Sequence, residues 1–111
     1  MLPLNKLVRD RISDLIRSKG SSVPSIKILH NDAEFLEYLK KKIVEEANEV
    51  AETTDDEHLI EELADVYEVI DAICAHQQIP KEKVINKQKS KRKERGGFEK
   101  RIAFVDSPPN T

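Results

Sequence analysis

The chain of 111 residues is short and highly charged, with 36% charged and 38% hydrophobic residues and a net charge of −2. This length fits one domain, and three glycines with no tryptophan favour a mostly helical protein over a β-sandwich. A single cysteine, Cys74, excludes an internal disulfide. Because we find no signal peptide and no long apolar run, we expect a soluble cytoplasmic protein and exclude a membrane protein.

The chain begins with a short predicted helix and a predicted extended segment. Apolar residues at helical spacing predict the helix from about Leu4 to Ser18, and Gly20 follows as a stop signal. Ile26 and Ile28 then alternate with polar residues, which indicates an extended segment or a short edge strand near residues 25–29.

Two long amphipathic helices follow the extended segment. Asn31 or Asp32 can cap the first one, and the polar residues 53–56 both end it and cap the second. The second helix is predicted to end near Gln77. Because the connection is short, we expect the two helices to form an antiparallel hairpin.

The last helix is basic. Pro80 is suited to its start and Gly96 to its end, and residues 81–101 carry ten bases against three acids. Three cations spaced by four residues share one face of this helix: Lys87, Lys91 and Arg95. Such a row can hold a polyphosphate, the alternatives being a solvated face or a nucleic-acid patch. The acids of residues 30–76 and the absence of an aromatic residue in the helix argue against nucleic acid.

Two pairs of carboxylates are the most informative feature of the chain: Glu46 with Glu49, and Glu62 with Asp65. Residues three apart on a helix project from one face, so each pair can bind one cation from one side. Around the helix axis, the first carboxylate of each pair lies about 80° from the centre of the apolar stripe and the second about 140°. The direction of rotation is the same in both helices. In an antiparallel hairpin, all four carboxylates therefore converge at one seam.

The alternative to a metal site is that these carboxylates only form a solvated edge of the helices, a rim beside the apolar stripe. Two observations favour a metal site instead. The doublets Glu45-Glu46 and Glu61-Glu62 add further negative charge, and no Lys or Arg lies between residues 43 and 80 to neutralise it. Since Mg²⁺ prefers oxygen ligands and bridges carboxylates to phosphates, the pattern predicts a small phosphorylated substrate.

The same residues carry a family resemblance. Glu45-Glu46-Ala47-Asn48-Glu49 and, after twelve residues, Glu62-Leu63-Ala64-Asp65 resemble the E-E-x-x-E…E-x-x-D signature of the all-α, MazG-like nucleoside triphosphate pyrophosphohydrolases. Residues 6–12 and 91–102 resemble a compact branch related to phosphoribosyl-ATP pyrophosphohydrolases. The implied fold is an antiparallel hairpin within a four-helix-type bundle. We expect a single domain over residues 1–105, followed by a flexible tail at residues 106–111.

The resemblance implies a Mg²⁺-dependent enzyme, with Mn²⁺ as a second option. It would cleave a nucleoside triphosphate between the α and β phosphates, giving a monophosphate and pyrophosphate in a house-cleaning role. The alternatives are a phosphoribosyl-ATP pyrophosphohydrolase-like enzyme and a non-catalytic relative that binds nucleotide or nucleic acid. The resemblance and the thin core of so short a chain also predict a homodimer or homotetramer.

The resemblance also assigns roles to residues. The implied metal ligands are Glu46, Glu49, Glu62 and Asp65. The residues implied in catalysis are Glu45, Glu46 and Glu49, with Glu45 orienting water or a second ion. The implied substrate-binding residues are Lys6, Arg9, Lys87, Lys91 and Arg95.

Overall fold

Four helices form the regular structure of residues 5–107, the part of the chain that our computed structural model describes. They are α1 (Ile12–Ser18), α2 (Asp32–Glu52), α3 (Asp56–His76) and α4 (Lys81–Arg95). The prediction of an all-α fold is confirmed. No strand occurs in the described part, and residues 25–29 have no regular structure.

The first helix is shorter than the sequence predicted. It begins at Ile12, and residues 5–11 form turns and irregular chain, so the predicted helix is wrong over residues 5–11. The predicted start, Leu4, lies outside the described residues. In this segment Lys6 and Arg9 make ion pairs with residues far along the chain. Short isolated helices are marginal in water, so such long-range contacts readily override the local pattern.

α2 and α3 begin at the caps that the sequence indicated. The Asn31 side chain accepts a hydrogen bond from the Glu34 backbone N–H at 2.9 Å, and the Asp55 side chain accepts one from the His58 N–H at 2.8 Å. Each bond satisfies a backbone donor that the first helical turn leaves free. Both helices are 21 residues long.

α2 and α3 pack against each other as an antiparallel hairpin. The ring of His76, at the end of α3, donates from Nε2 to the Asp32 carbonyl at 3.1 Å. The same ring packs edge-on against Phe35, with 4.9 Å between centroids. The start of α2 therefore lies beside the end of α3, and Leu39 and Val69 are buried between the two helices.

The hairpin buries only part of each apolar stripe. Glu46, predicted at the rim, is 5% exposed, whereas Val44, predicted to belong to the stripe, is 59% exposed. Ile60 and Tyr67 of α3 are also exposed. A stripe wider than about 100° cannot be covered by one neighbouring helix, so its outer half faces away from the hairpin.

The described chain divides into two compact units, the first ending at Ile79 and the second beginning at Pro80. In the second unit, α4 has no buried residue. Gly96 ends this helix with φ of 83°, a conformation that glycine adopts without a Cβ clash, and Arg92 pairs with Glu99. The single-domain organisation stays a prediction.

Candidate metal and phosphate site

Three carboxylates from the two long helices meet on the hairpin. Glu46 and Glu49 come from α2 and Glu62 from α3, and each offers an oxygen within 4.8 Å of the others. The i, i+3 spacing places the first two on one side of α2, and the antiparallel packing brings the third to them from α3. Three anionic side chains thus share one small volume.

The environment of these carboxylates fits a hard cation. Glu46 is buried, and its Oε2 has no hydrogen-bond partner within residues 5–107. The Oε2 atom of Glu62 is buried and unpartnered in the same way. Leaving a buried acceptor unsatisfied costs about 1–3 kcal/mol, and more for a charged group. Mg²⁺, Mn²⁺ and Ca²⁺ bind carboxylate oxygens, so these three carboxylates and their two unpartnered Oε2 atoms suit such an ion.

The proximity of the carboxylates affects their protonation. Burial raises the pKa of Glu46, and the charges of Glu49 and Asp65 raise it further against the opposing effect of Lys42. The hydrogen bond with Glu62 raises the pKa of Glu49, and burial adds to the effect. Burial and the neighbouring carboxylates therefore both disfavour the ionised forms of Glu46 and Glu49.

The fourth predicted ligand, Asp65, lies beside this group but is not one of the three carboxylates that meet. Its Oδ1 accepts a hydrogen bond from Arg9 Nη2 at 2.7 Å. Asp65 is nevertheless near enough for its charge to act on Glu46. The structure therefore places Arg9, a predicted substrate-binding residue, at the edge of the carboxylate cluster.

Glu45, predicted to support catalysis, is held by two lysines. Its Oε1 accepts from Lys6 Nζ at 3.0 Å, and its Oε2 accepts from Lys42 Nζ at 3.3 Å. Burial opposes ionisation of Glu45, but the bond from Lys6 and the charge of Lys42 together lower its pKa. Glu45 therefore ties Lys6, before α1, to the hairpin, as Asp65 ties Arg9.

Lys42 is a site residue that the sequence reasoning missed. Its Nζ also lies 3.2 Å from Glu46 Oε1, so it bridges two adjacent glutamates of α2. The signal was present in the sequence, because Lys42 precedes these glutamates by three and four residues, the spacing of helical ion pairs.

The three predicted phosphate-binding residues of the second unit lie on α4. They are exposed and spaced by four residues on one helical face: Lys87, Lys91 and Arg95. Their binding role stays a prediction.

Two surface depressions occur on the hairpin. One lies at the turn between α2 and α3 and includes Glu49 and Glu62 of the carboxylate cluster, together with Thr53, Thr54 and His58. The other lies along the outer face of α2 and is lined by apolar and Lys side chains, including Leu36 and Val44. Only the first contains cluster carboxylates, so it is the one that bears on the chemistry of the site.

The chain matches the phosphoribosyl-ATP pyrophosphohydrolase family (PRA-PH) over residues 10–92, well over half of its length, and it belongs to this family. No curated protein and no solved structure matches the chain.

Family membership confirms two predictions from the sequence. The first is the resemblance itself, since the PRA-PH family is part of the MazG-like, all-α pyrophosphohydrolase superfamily. The second is the enzyme class, a pyrophosphohydrolase acting on phosphoric anhydride bonds of a nucleotide. The family is typically metal-dependent, in keeping with the carboxylate cluster. Within residues 5–107, no helix is both long and apolar enough to cross a membrane.

Proposed function

We propose that the protein is a Mg²⁺-dependent pyrophosphohydrolase that cleaves a nucleoside triphosphate between its α and β phosphates. Water attacks the α phosphorus, the bond to the bridging oxygen breaks, and a monophosphate and pyrophosphate leave with one proton released. The observation that carries this proposal is the meeting of Glu46, Glu49 and Glu62. Glu46 and Glu62 each have a buried oxygen with no hydrogen-bond partner among the described residues.

Four carboxylates would hold the metal in this proposal: Glu46, Glu49, Glu62 and, at the edge of the group, Asp65. When bound, Mg²⁺ would neutralise the polyphosphate and supply charge stabilisation for the leaving pyrophosphate. Because the pKa of Glu49 is raised by its hydrogen bond with Glu62 and by burial, binding of a cation and loss of the Glu49 proton would favour each other.

The cations around the cluster would hold the substrate. Lys6 and Arg9 already lie against Glu45 and Asp65, within the first unit. If Lys6 turns to a phosphate oxygen, Glu45 Oε1 becomes free to orient water, the role predicted for it. Phosphate binding by the row on α4, Lys87, Lys91 and Arg95, is a separate proposal about the second unit, supported by the regular spacing and exposure of these cations.

Phosphoribosyl-ATP is the second candidate substrate, and the family match favours it as much as a simple triphosphate. It carries the same α–β anhydride bond, so the same residues would act on it. The two substrates differ in the groups attached to the base, which specificity contacts outside the phosphate site would distinguish. A house-cleaning role on modified nucleotides belongs to the first candidate.

A panel of substrates tests the proposal. The purified chain is incubated with Mg²⁺ and phosphoribosyl-ATP, or with standard or modified nucleoside triphosphates, and the products are separated by anion exchange. We expect pyrophosphate and the matching monophosphate in equal amounts from at least one substrate, and none with chelator. Release of orthophosphate with a diphosphate, or turnover that chelator leaves intact, would contradict the proposal.

We also propose that the chain assembles as a homodimer or homotetramer. Buried hydrophobic residues in the described part are Leu39, Val69 and Cys74, a small core for a chain of this length. In addition, large apolar residues on the outer half of the hairpin are exposed, among them Val44, Ile60, Leu63 and Tyr67. A second copy would remove this surface from water.

A further inference from the structure

Lys42 occupies a shielded position between two neighbouring glutamates. Its Nζ lies 3.2 Å from Glu46 Oε1 and 3.3 Å from Glu45 Oε2, and its side chain is only 14% exposed. Lys41, the next residue on the same helix, is 67% exposed and pairs with Glu37. The two lysines differ in that only Lys42 faces the carboxylate cluster.

Glu46 uses its two oxygens differently. Oε1 is paired with Lys42, whereas Oε2 is buried and has no hydrogen-bond partner in the described part of the chain. A carboxylate fixed through one oxygen presents the other in a defined direction. Glu45 strengthens this arrangement, because it pairs with Lys42 through one oxygen and with Lys6 through the other.

We infer that Lys42 is a positioning residue that orients Glu46 for metal binding. This inference rests on the proposed function, in which Glu46 is a ligand. Lys42 itself touches neither metal nor substrate, and it acts by holding Glu46 Oε1 so that Oε2 remains available. Groups that orient metal ligands in this way affect metal affinity strongly although they lie outside the coordination sphere.

The direction of the change in cation affinity on removing Lys42 distinguishes a positioning role from a purely electrostatic one. If Lys42 acted only through its charge, removing it would make the cluster more negative and bind a cation more tightly. If Lys42 positions Glu46, removing it frees the carboxylate to rotate and weakens cation binding. The two accounts predict opposite changes in affinity.

The test measures binding of Mn²⁺ alone to the full chain by titration calorimetry, without substrate. We expect Lys42→Met to weaken Mn²⁺ affinity by about 10- to 100-fold. The matched control Lys41→Met removes an exposed ammonium from the same helix and should leave the affinity within about twofold of wild type. Unchanged or tighter Mn²⁺ binding by Lys42→Met would overturn the inference.

Further variants keep the result decisive. Lys42→Arg retains a charged donor and should bind Mn²⁺ far better than Lys42→Met. In a Glu46→Gln background, Lys42→Met should cause little further loss, since the two residues act through one ligand; fully additive losses would count against positioning. If circular dichroism shows that Lys42→Met does not fold, Lys42→Gln replaces it with the same expectation.

The same titration distinguishes failure of the proposed metal site from failure of the role inferred for Lys42. If wild type binds no Mn²⁺, the proposed function fails and the inference fails with it. If wild type binds Mn²⁺ and Lys42→Met binds it equally well, only the role of Lys42 is wrong.

Discussion

At the scale of single residues, the site concentrates negative charge at a cost to the folded chain. Glu46 and Glu49 have raised pKa values because burial and neighbouring carboxylates disfavour their ionised forms. Lys42 compensates for part of this charge, since its ammonium pairs with Glu45 and Glu46. A metal ion would compensate for more, which makes stability dependent on both pH and metal.

The raised pKa of Glu49 predicts a definite pH dependence of stability. Below the unfolded-state pKa, Glu49 is protonated in both states, and the stability linked to its protonation is fully present. This contribution is lost as pH rises through the higher folded-state pKa. In chelator, we therefore expect the free energy of unfolding of wild type to fall more between pH 4.5 and pH 7 than that of Glu49→Gln, measured by urea titration.

Glu61→Gln is the control for this experiment, because Glu61 is exposed on α3 outside the cluster. Its pH dependence should follow that of wild type. Added Mg²⁺ should raise the stability of wild type at pH 7 and affect Glu49→Gln less. A steeper pH dependence in Glu49→Gln than in wild type would contradict the linkage.

At the scale of the elements, the sequence predicted those helices and caps that depend on neighbouring residues along the chain. The two long helices followed from apolar periodicity, and their caps lie within the polar residues that the sequence indicated, Asn31 or Asp32 for α2 and residues 53–56 for α3. The start of α1 did not follow from periodicity, because Lys6 and Arg9 make contacts with distant residues that no local pattern records. The sequence pattern also did not predict how each helix is rotated about its axis. Periodicity defines an apolar stripe but not which half of the stripe a neighbouring helix covers.

The hairpin depends on its few buried apolar side chains. Leu39 is 1% exposed and is the largest fully buried residue in the described part of the chain. We expect Leu39→Ala to lower the free energy of unfolding by about 2–5 kcal/mol, through lost burial and the cavity left behind. Chemical denaturation monitored by circular dichroism measures this loss.

Leu15→Ala provides the comparison, because it makes the same chemical change at a side chain of α1 that is 53% exposed. Its cost should be clearly smaller, since much of the side chain already contacts water. Equal losses for the two variants would show that Leu39 is not central to the packing.

At the scale of the whole molecule, spacing alone predicted much of the candidate site. The helical spacing and the antiparallel hairpin indicated that carboxylates of α2 and α3 would converge, and three of them do meet. Spacing gave no indication that Arg9 pairs with Asp65, since that contact joins residues 56 apart in sequence. The burial of Glu46 was also unforeseen, because it depends on the rotation of α2.

The exposed outer face predicts the assembly state. One chain weighs 12.7 kDa, and we expect light scattering after size exclusion to give at least twice this mass for wild type. Ile60→Lys places a charge on a side chain that is 66% exposed in the single chain, so it should weaken association without disturbing the hairpin. A monomeric mass for wild type across a wide concentration range would contradict the assembly.

The central claim is that the carboxylate cluster supports metal-dependent cleavage, and one assay tests it directly. Pyrophosphate release from the best substrate of the panel is measured with Mg²⁺ for wild type, Glu49→Gln and the control Glu61→Gln. Because charge stabilisation by a metal is worth several kcal/mol, Glu49→Gln should lose about a hundredfold or more in kcat/KM. Glu61→Gln should stay near wild type, and chelator should abolish release. Full activity of folded Glu49→Gln would contradict the account.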